Sequence, residues 1–136
     1  MENLAGGHGP FVFLLALSVI LLLLHVCLQA MSATQELGLA WNAGARDTRQ
    51  DLTGVFGGRA QRASDNFRET YLAFVGLVLA LAIAGDASGW GLTGGWIWIA
   101  ARIVYIPLYL AGIAYVRSVA WVVSLAGLVL MLVALI

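Results

Sequence analysis

Lysine is missing from this chain altogether, and charge of either sign is scarce, at 10% of the 136 residues. The formal net charge is zero, which argues against a nucleic-acid partner, since phosphate backbones are met by an excess of basic side chains. The single cysteine, Cys27, excludes an internal disulfide and a zinc cluster of cysteines. No basic residue precedes the first apolar run, which argues against a cleaved signal peptide. What fills the chain instead is hydrocarbon. Hydrophobic residues make up 62% of it, with a mean hydropathy of +0.94. A soluble domain of this length does not have that composition. The expected class is an all-α integral membrane protein, with residues 1–136 forming one domain of four membrane-spanning helices.

The spans follow from the apolar runs. They are expected at about 10–33, 59–84, 95–116 and 118–136. Met1–Pro10 reads as a loose terminus. Residues 34–61 read as the largest polar connection, a loop with Arg46-Asp47 and Arg49-Asp51 as local charge pairs. Gly85-Asp86-Ala87-Ser88-Gly89 turns the chain, and Gly91, Gly94 and Gly95 are expected to keep that connection loose. Trp96 and Trp98 are placed at the membrane interface, where amphipathic rings settle. Trp41, Trp90 and Trp121 read the same way. Pro107 deprives the Ile103 carbonyl of its helical partner and favours a kink. Arg117 and Ser118 stand alone between the third and fourth spans, so that connection is tight.

The arginines set the expected orientation. Arg46, Arg49 and Arg59 lie in the first connection and Arg117 in the third, whereas the N-terminus and Gly85–Gly95 carry none. The positive-inside rule puts the first and third connections in the cytoplasm and both chain ends outside.

Several polar residues sit where lipid would penalise them. A charge at mid-helix costs about 2.5–3.5 kcal/mol on insertion scales. Arg62, Asn66 and Glu69 fall on one face of the second helix, at about 100° per residue. That face continues as Ala73, Gly76, Ala80 and Ala84, a row of small residues that permits close helix approach. On the third helix Arg102, Tyr105 and Tyr109 are spaced i, i+3, i+7 and share one face. With Arg117 at the head of the fourth helix, these groups are able to converge. Such a site suits a small anion with several hydrogen-bonding groups: arginines match carboxylates in bidentate geometry, and Glu69 accepts an ammonium. The bland alternative is a set of anchoring arginines plus a structural Arg–Glu pair. His25 reads as a packed, hydrogen-bonded residue and Cys27 as a small apolar filler. Tyr71 and Tyr115 read as interface anchors.

Three motifs in order carry a resemblance. Arg62-x-x-x-Asn66-x-x-Glu69 resembles the second-helix signature of the MAPEG superfamily, the membrane-associated proteins of eicosanoid and glutathione metabolism. Arg102-x-x-Tyr105-x-x-x-Tyr109 looks like its third-helix signature, and Arg117-Ser118 resembles the start of its fourth helix. Gly44-Ala45-Arg46-Asp47 and Gly58-Arg59-Ala60-Gln61-Arg62 are similar to the family's bacterial branch. The likeness runs from about Leu37 to Tyr115 and less distinctly beyond. It implies a homotrimer in a bacterial inner membrane, with glutathione as cosubstrate, bound between subunits near the cytoplasmic side. By the same resemblance Arg62, Asn66, Glu69, Arg102 and Tyr105 hold glutathione. Arg117 stabilises its thiolate, with Ser118 and Tyr109 beside it in the catalytic group. The activity implied is a transferase or peroxidase acting on lipophilic electrophiles.

The sequence also departs from the family pattern. The first helix has no arginine or lysine late in its run, and His25 is the only basic side chain there. Asp65 stands where some members have a second arginine. These departures keep a second reading open, a catalytically silent subunit that uses the polar stripe to hold its own trimer or to dock on a larger membrane complex. A transporter fits least, because the polar residues cluster at one side and do not line a path.

Overall fold

The computed structural model describes residues 9–45, 47 and 54–136. Among these every regular element is an α-helix: α1 Pro10–Leu37, α2 Leu39–Ala43, α3 Val55–Ala84, α4 Trp90–Leu110 and α5 Ala114–Leu135. All but α2 are long and apolar enough to cross a membrane. Arg46, Arg49 and Asp51, and with them both expected charge pairs, lie outside the described residues, as does the terminus before Gly9.

Helix length explains how the charges are tolerated. The 30 residues of α3 extend about 45 Å against a hydrocarbon core of about 30 Å. A surplus of about ten residues at its N-terminal end carries Arg59 and Arg62, and Asp65, Arg68 and Glu69 follow within the next two turns. Arg102 has no such escape. It lies eight residues, about 12 Å, short of the end of α4, at a depth where a guanidinium must face protein.

Consecutive long helices run antiparallel. α1 packs along α3, with His25 against Phe67 and the Ser18 hydroxyl 3.1 Å from the Tyr71 hydroxyl. α3 packs along α4 through Phe74 and Trp98, whose rings stack at 4.0 Å. The core is this aromatic column with Leu14, Leu21, Val78, Leu81 and Met131 around it. α4 and α5 approach through glycine. A Cβ at Gly94 would lie 2.5 Å from the Gly127 carbonyl oxygen, and one at Gly127 would lie 2.6 Å from that of Gly94.

Several expectations need correction. The first connection is largely helical: α1 continues to Leu37, α2 follows, and α3 already starts at Val55. The Glu36 carboxylate holds that start, accepting a bond from the Gly54 N–H at 2.7 Å. α4 begins at Trp90, so Gly91, Gly94 and Gly95 are buried helix residues and not a loose loop. The signal for this is Asp86. Its Oδ1 accepts from the Gly91 N–H at 3.0 Å and its Oδ2 from the Leu92 N–H at 2.8 Å, satisfying two orphan donors of the first turn. Trp98 is consequently two turns inside the helix and fully buried in the core, while Trp90 occupies the helix start. Arg117 and Ser118 are not the connection but the first turns of α5. The turn is Ala111–Ile113, with Gly112 at φ +76°. Tyr71 belongs to the core, and Cys27 is exposed on the outer face of α1.

The stripe Ala73, Gly76, Ala80, Ala84 also differs from expectation. A Cβ at Gly76 would meet nothing within 4 Å. Within one chain this face covers nothing. The buried face of α3 is Phe67, Phe74, Val78 and Leu81.

Candidate functional site

The polar end of the bundle is assembled by the α4–α5 corner. Arg59, near the start of α3, donates from Nη1 to the Leu110 carbonyl at 3.1 Å. Its guanidinium fills the space over Gly112, where a Cβ would lie 2.6 Å from Nη2. The start of α3 and the α4–α5 turn thus sit at one end of the bundle. Small residues let three helices meet there: Ala63 on α3 and Ala120 on α5 are buried against Tyr105 on α4.

Above that contact opens a pocket of about 340 Å³, lined by Arg62, Asp65, Asn66 and Glu69 of α3, Tyr105 and Tyr109 of α4, and Arg117, Ser118 and Trp121 of α5. Small-molecule sites run from about 300 Å³ upward. Seven of the eight residues singled out in the sequence line this space, and the eighth stands directly behind it. Arg102 is 0% exposed. Its Nη1 donates to Asn66 Oδ1 at 2.9 Å. Its guanidinium carbon lies 4.5 Å from the centre of the Tyr105 ring and 5.3 Å from that of Phe67. Nε and Nη2 have no acceptor among the described residues. Arg102 therefore orients one wall of the pocket, through Asn66 and Tyr105, and keeps unused donors.

The opposite wall is similar in kind. The Arg117 guanidinium lies over the Tyr109 ring at 4.6 Å, and the Tyr105 and Tyr109 rings are tilted at 5.4 Å. Ser118 donates back to the Ala114 carbonyl at 3.1 Å, so its oxygen keeps acceptor capacity. Each arginine rests on a tyrosine face, a cation–π contact worth about 0.5–2 kcal/mol depending on exposure. That fixes the cation while leaving its edge free to donate.

One lining residue differs from the sequence expectation. Trp121 was placed at the interface, yet it closes one side of the pocket. Its buried indole N–H has no acceptor among the described residues. The available signal was its i+4 spacing from Arg117. Asp65 lines the pocket too, and its Oδ1 accepts from Arg68 Nη2 at 2.9 Å. Among the described residues Glu69 forms no ion pair with an arginine, and the Asp65–Arg68 pair stands at the edge of the pocket. His25 is buried with its ring tilted against Phe67 at 4.7 Å, and its Nε2 is unpartnered among the described residues. Phe67 separates it from Arg102, and it does not reach the pocket. No group of three or more metal-ligating side chains occurs among the described residues.

Fold and site together define a multi-pass membrane protein with a polar, arginine-bearing pocket at one end of its helices. The MAPEG family model matches residues 14–136, and the chain belongs to that family. Members generally use glutathione, in membrane transferase, peroxidase or related roles. Neither a curated protein nor a solved structure matches the chain.

Proposed function

We propose that the chain is a glutathione-dependent membrane transferase or peroxidase acting on lipophilic electrophiles. The observation that carries this reading is the convergence of Arg62, Asn66, Glu69, Tyr105, Tyr109, Arg117 and Ser118 on one pocket. Arg62 meets a carboxylate of the peptide, Glu69 its ammonium, and Asn66, held by Arg102, its backbone. Arg117 faces the sulfur. A free thiol has a pKa of about 8.5 and is mostly protonated at neutral pH. A guanidinium beside it favours the thiolate, which is the nucleophile. With an electrophile the thiolate forms a C–S bond and the leaving group departs with the electron pair. With a lipid hydroperoxide it attacks the terminal oxygen, the O–O bond breaks, and an alcohol and a sulfenic acid form. A second glutathione then yields the disulfide and water. Tyr109 and Ser118 supply or accept the proton.

The same reading makes the protein a homotrimer in a bacterial inner membrane, with the pocket at the cytoplasmic end and both termini outside. The uncovered stripe Ala73, Gly76, Ala80, Ala84 supports an intersubunit contact, because lipid gains nothing from small residues at that spacing. A silent, structural member of the family is the second reading, favoured by Asp65 in the pocket wall.

Calorimetric titration of detergent-purified protein with glutathione tests the proposal. Saturable binding that is lost in Arg62→Ala, with a thiolate absorbance band appearing below pH 8 in the wild type, is the expected result. No binding at millimolar glutathione would leave the silent reading in place.

A further inference from the structure

Two parts of the chain wall the pocket. Arg62, Asp65, Asn66 and Glu69 come from α3, and the remaining lining residues from α4 and α5, on either side of one turn. Chemistry at a thiol needs the two in register, because the α3 side holds the peptide and Arg117 faces the sulfur.

Arg59 is placed to join them. It lies one turn before Ala63 and two before Asn66, so the three share one stripe of α3. Each meets α4 at a different height. Asn66 accepts from Arg102, Ala63 packs on Tyr105, and Arg59 donates to the carbonyl of Leu110, the last residue of α4, at 3.1 Å. The turn closes the carbonyls before that one itself. The N–H groups of Ala111, Gly112 and Ile113 donate to Pro107, Tyr109 and Leu108, each at 3.0 Å. Arg59 takes the next, one of the end carbonyls a helix cannot satisfy alone. α4 has no basic residue in its own last turn, where a cation complements the helix dipole. Arg59 supplies that cation from α3.

The contact is broader than one bond. Gly112 has φ +76°, and its missing side chain makes room for the guanidinium: a Cβ there would lie 2.6 Å from Nη2, 2.8 Å from Cζ and 3.0 Å from Nη1. The flat group therefore rests on the turn. Two pocket residues hang directly from that turn. Tyr109 immediately precedes Leu110, and Arg117 follows five residues after Gly112, its guanidinium 4.6 Å from the centre of the Tyr109 ring. Arg59 itself does not line the pocket.

We infer that Arg59 is a positioning residue: it clamps the α4–α5 turn to the start of α3, and so holds Arg117 and Tyr109 at the sulfur end of the pocket without touching ligand. The inference rests on the proposed thiol site and deepens it. Releasing the clamp lets the corner shift while Arg62, Asn66 and Glu69 stay on their helix. The peptide end is then kept, and the thiolate loses part of the field of Arg117, which falls with distance. The loss is bounded by removal of Arg117 outright, about one pH unit.

Two variants release the clamp by different routes. Arg59→Met keeps the apolar stem and removes charge and donors. Gly112→Asn keeps Arg59 but fills its seat, with a residue that tolerates the left-handed backbone. Each is made alone and together with Arg117→Ala. Glutathione is titrated by calorimetry at a pH where the thiol is protonated, and the thiolate absorbance of the bound peptide is followed against pH. The other charged and titratable groups around the sulfur, Arg62, Asp65, Glu69, Tyr105 and Tyr109, are present in every variant. Both single variants are expected to raise the pKa of the bound thiol by up to about one unit and to keep affinity for the thiol form within about threefold. In the Arg117→Ala background neither is expected to move that pKa further. A thiol pKa that stays at its wild-type value in both single variants would overturn the inference and leave the site reading intact. A further shift in the Arg117→Ala background would do the same, since Arg59 would then act on the sulfur by its own charge. Loss of thiol-form affinity by about tenfold or more in both variants would assign Arg59 to the peptide end and also overturn it. Absence of saturable binding by the wild type would overturn the site reading and this inference with it.

Discussion

Arg102→Met is the substitution that best separates a structural arginine from a functional one. The guanidinium is fully buried, about 12 Å from the end of a helix long and apolar enough to cross a membrane. Its gains are one bond to a neutral amide, about 1.5–3 kcal/mol for a charged donor, and two aromatic contacts of about 0.5–2 kcal/mol each. Against them stands a desolvation penalty of several kcal/mol, with Nε and Nη2 still unpartnered among the described residues. The terms nearly cancel. Methionine fills much of the volume, removes the charge, and leaves only the half-buried Asn66 oxygen short of a donor. The expected change in unfolding free energy is therefore within about 2 kcal/mol of wild type, in either direction. Binding should respond differently. Asn66 loses its anchor and the pocket loses its rear cation, so glutathione affinity should fall by about ten- to a hundredfold, the equivalent of one charged hydrogen bond. Tryptophan-monitored thermal unfolding in detergent reads the first quantity and calorimetry the second. A collapse of stability with ligand affinity unchanged would refute the reasoning. Arg102 would then be an internal strut and the donors it keeps would serve no ligand.

Two more outcomes follow from the same geometry. Arg117→Ala should shift the alkaline rise of transferase rate upward by about one pH unit, because a guanidinium favours the thiolate and its removal returns the thiol toward its pKa of about 8.5. A rate profile unchanged in pH but lower in height would assign Arg117 to binding alone. Gly94→Val and Gly76→Val should part company. The first drives a Cβ to 2.5 Å from the Gly127 carbonyl and 2.9 Å from Met131, forcing α4 from α5. It should lower subunit stability by about 1–3 kcal/mol. The second meets nothing within 4 Å in its own chain, so it should leave subunit stability alone and weaken the proposed trimer, read by light scattering of the detergent complex.

Much of the site was legible because its chemistry is written in residues that lipid excludes. Arg62, Asn66, Glu69, Arg102, Tyr105 and Tyr109 stand out against hydrocarbon, and helical spacing alone puts each set on one face. That Arg117 and Ser118 join them follows from a short α4–α5 turn. What hydropathy left out were helix limits. Glycine reads as a loop former, yet Gly91, Gly94 and Gly95 lie inside α4, where they permit close packing against Leu81, Gly127 and Leu14 in turn, and the start is fixed by Asp86 four residues before Trp90. Tryptophan reads as an interface marker, yet Trp98 stacks on Phe74 in the core and Trp121 lines the pocket. An amphipathic ring is placed by its neighbours, and the neighbours come from other helices. The small-residue stripe of α3 is the reverse case. Its spacing announces a helix contact, and the chain itself provides none.

That last point bears on why the site sits where it does. Arg62 and Glu69, both exposed on the pocket wall, are the polar beginning of the same α3 face that continues as Ala73, Gly76, Ala80 and Ala84. One helix face therefore presents charge at its N-terminal end and small residues beyond it. A second copy seated on the small residues would bring its own helix to the open side of the pocket. It would exclude water from Arg62 and Arg117 and strengthen both for an anionic ligand. Assembly and ligand affinity would then be coupled: Gly76→Val, which touches neither ligand nor pocket, should weaken glutathione binding in proportion to the trimer it dissolves. Full affinity in an isolated subunit would show instead that the α3, α4 and α5 residues of one chain are the whole site.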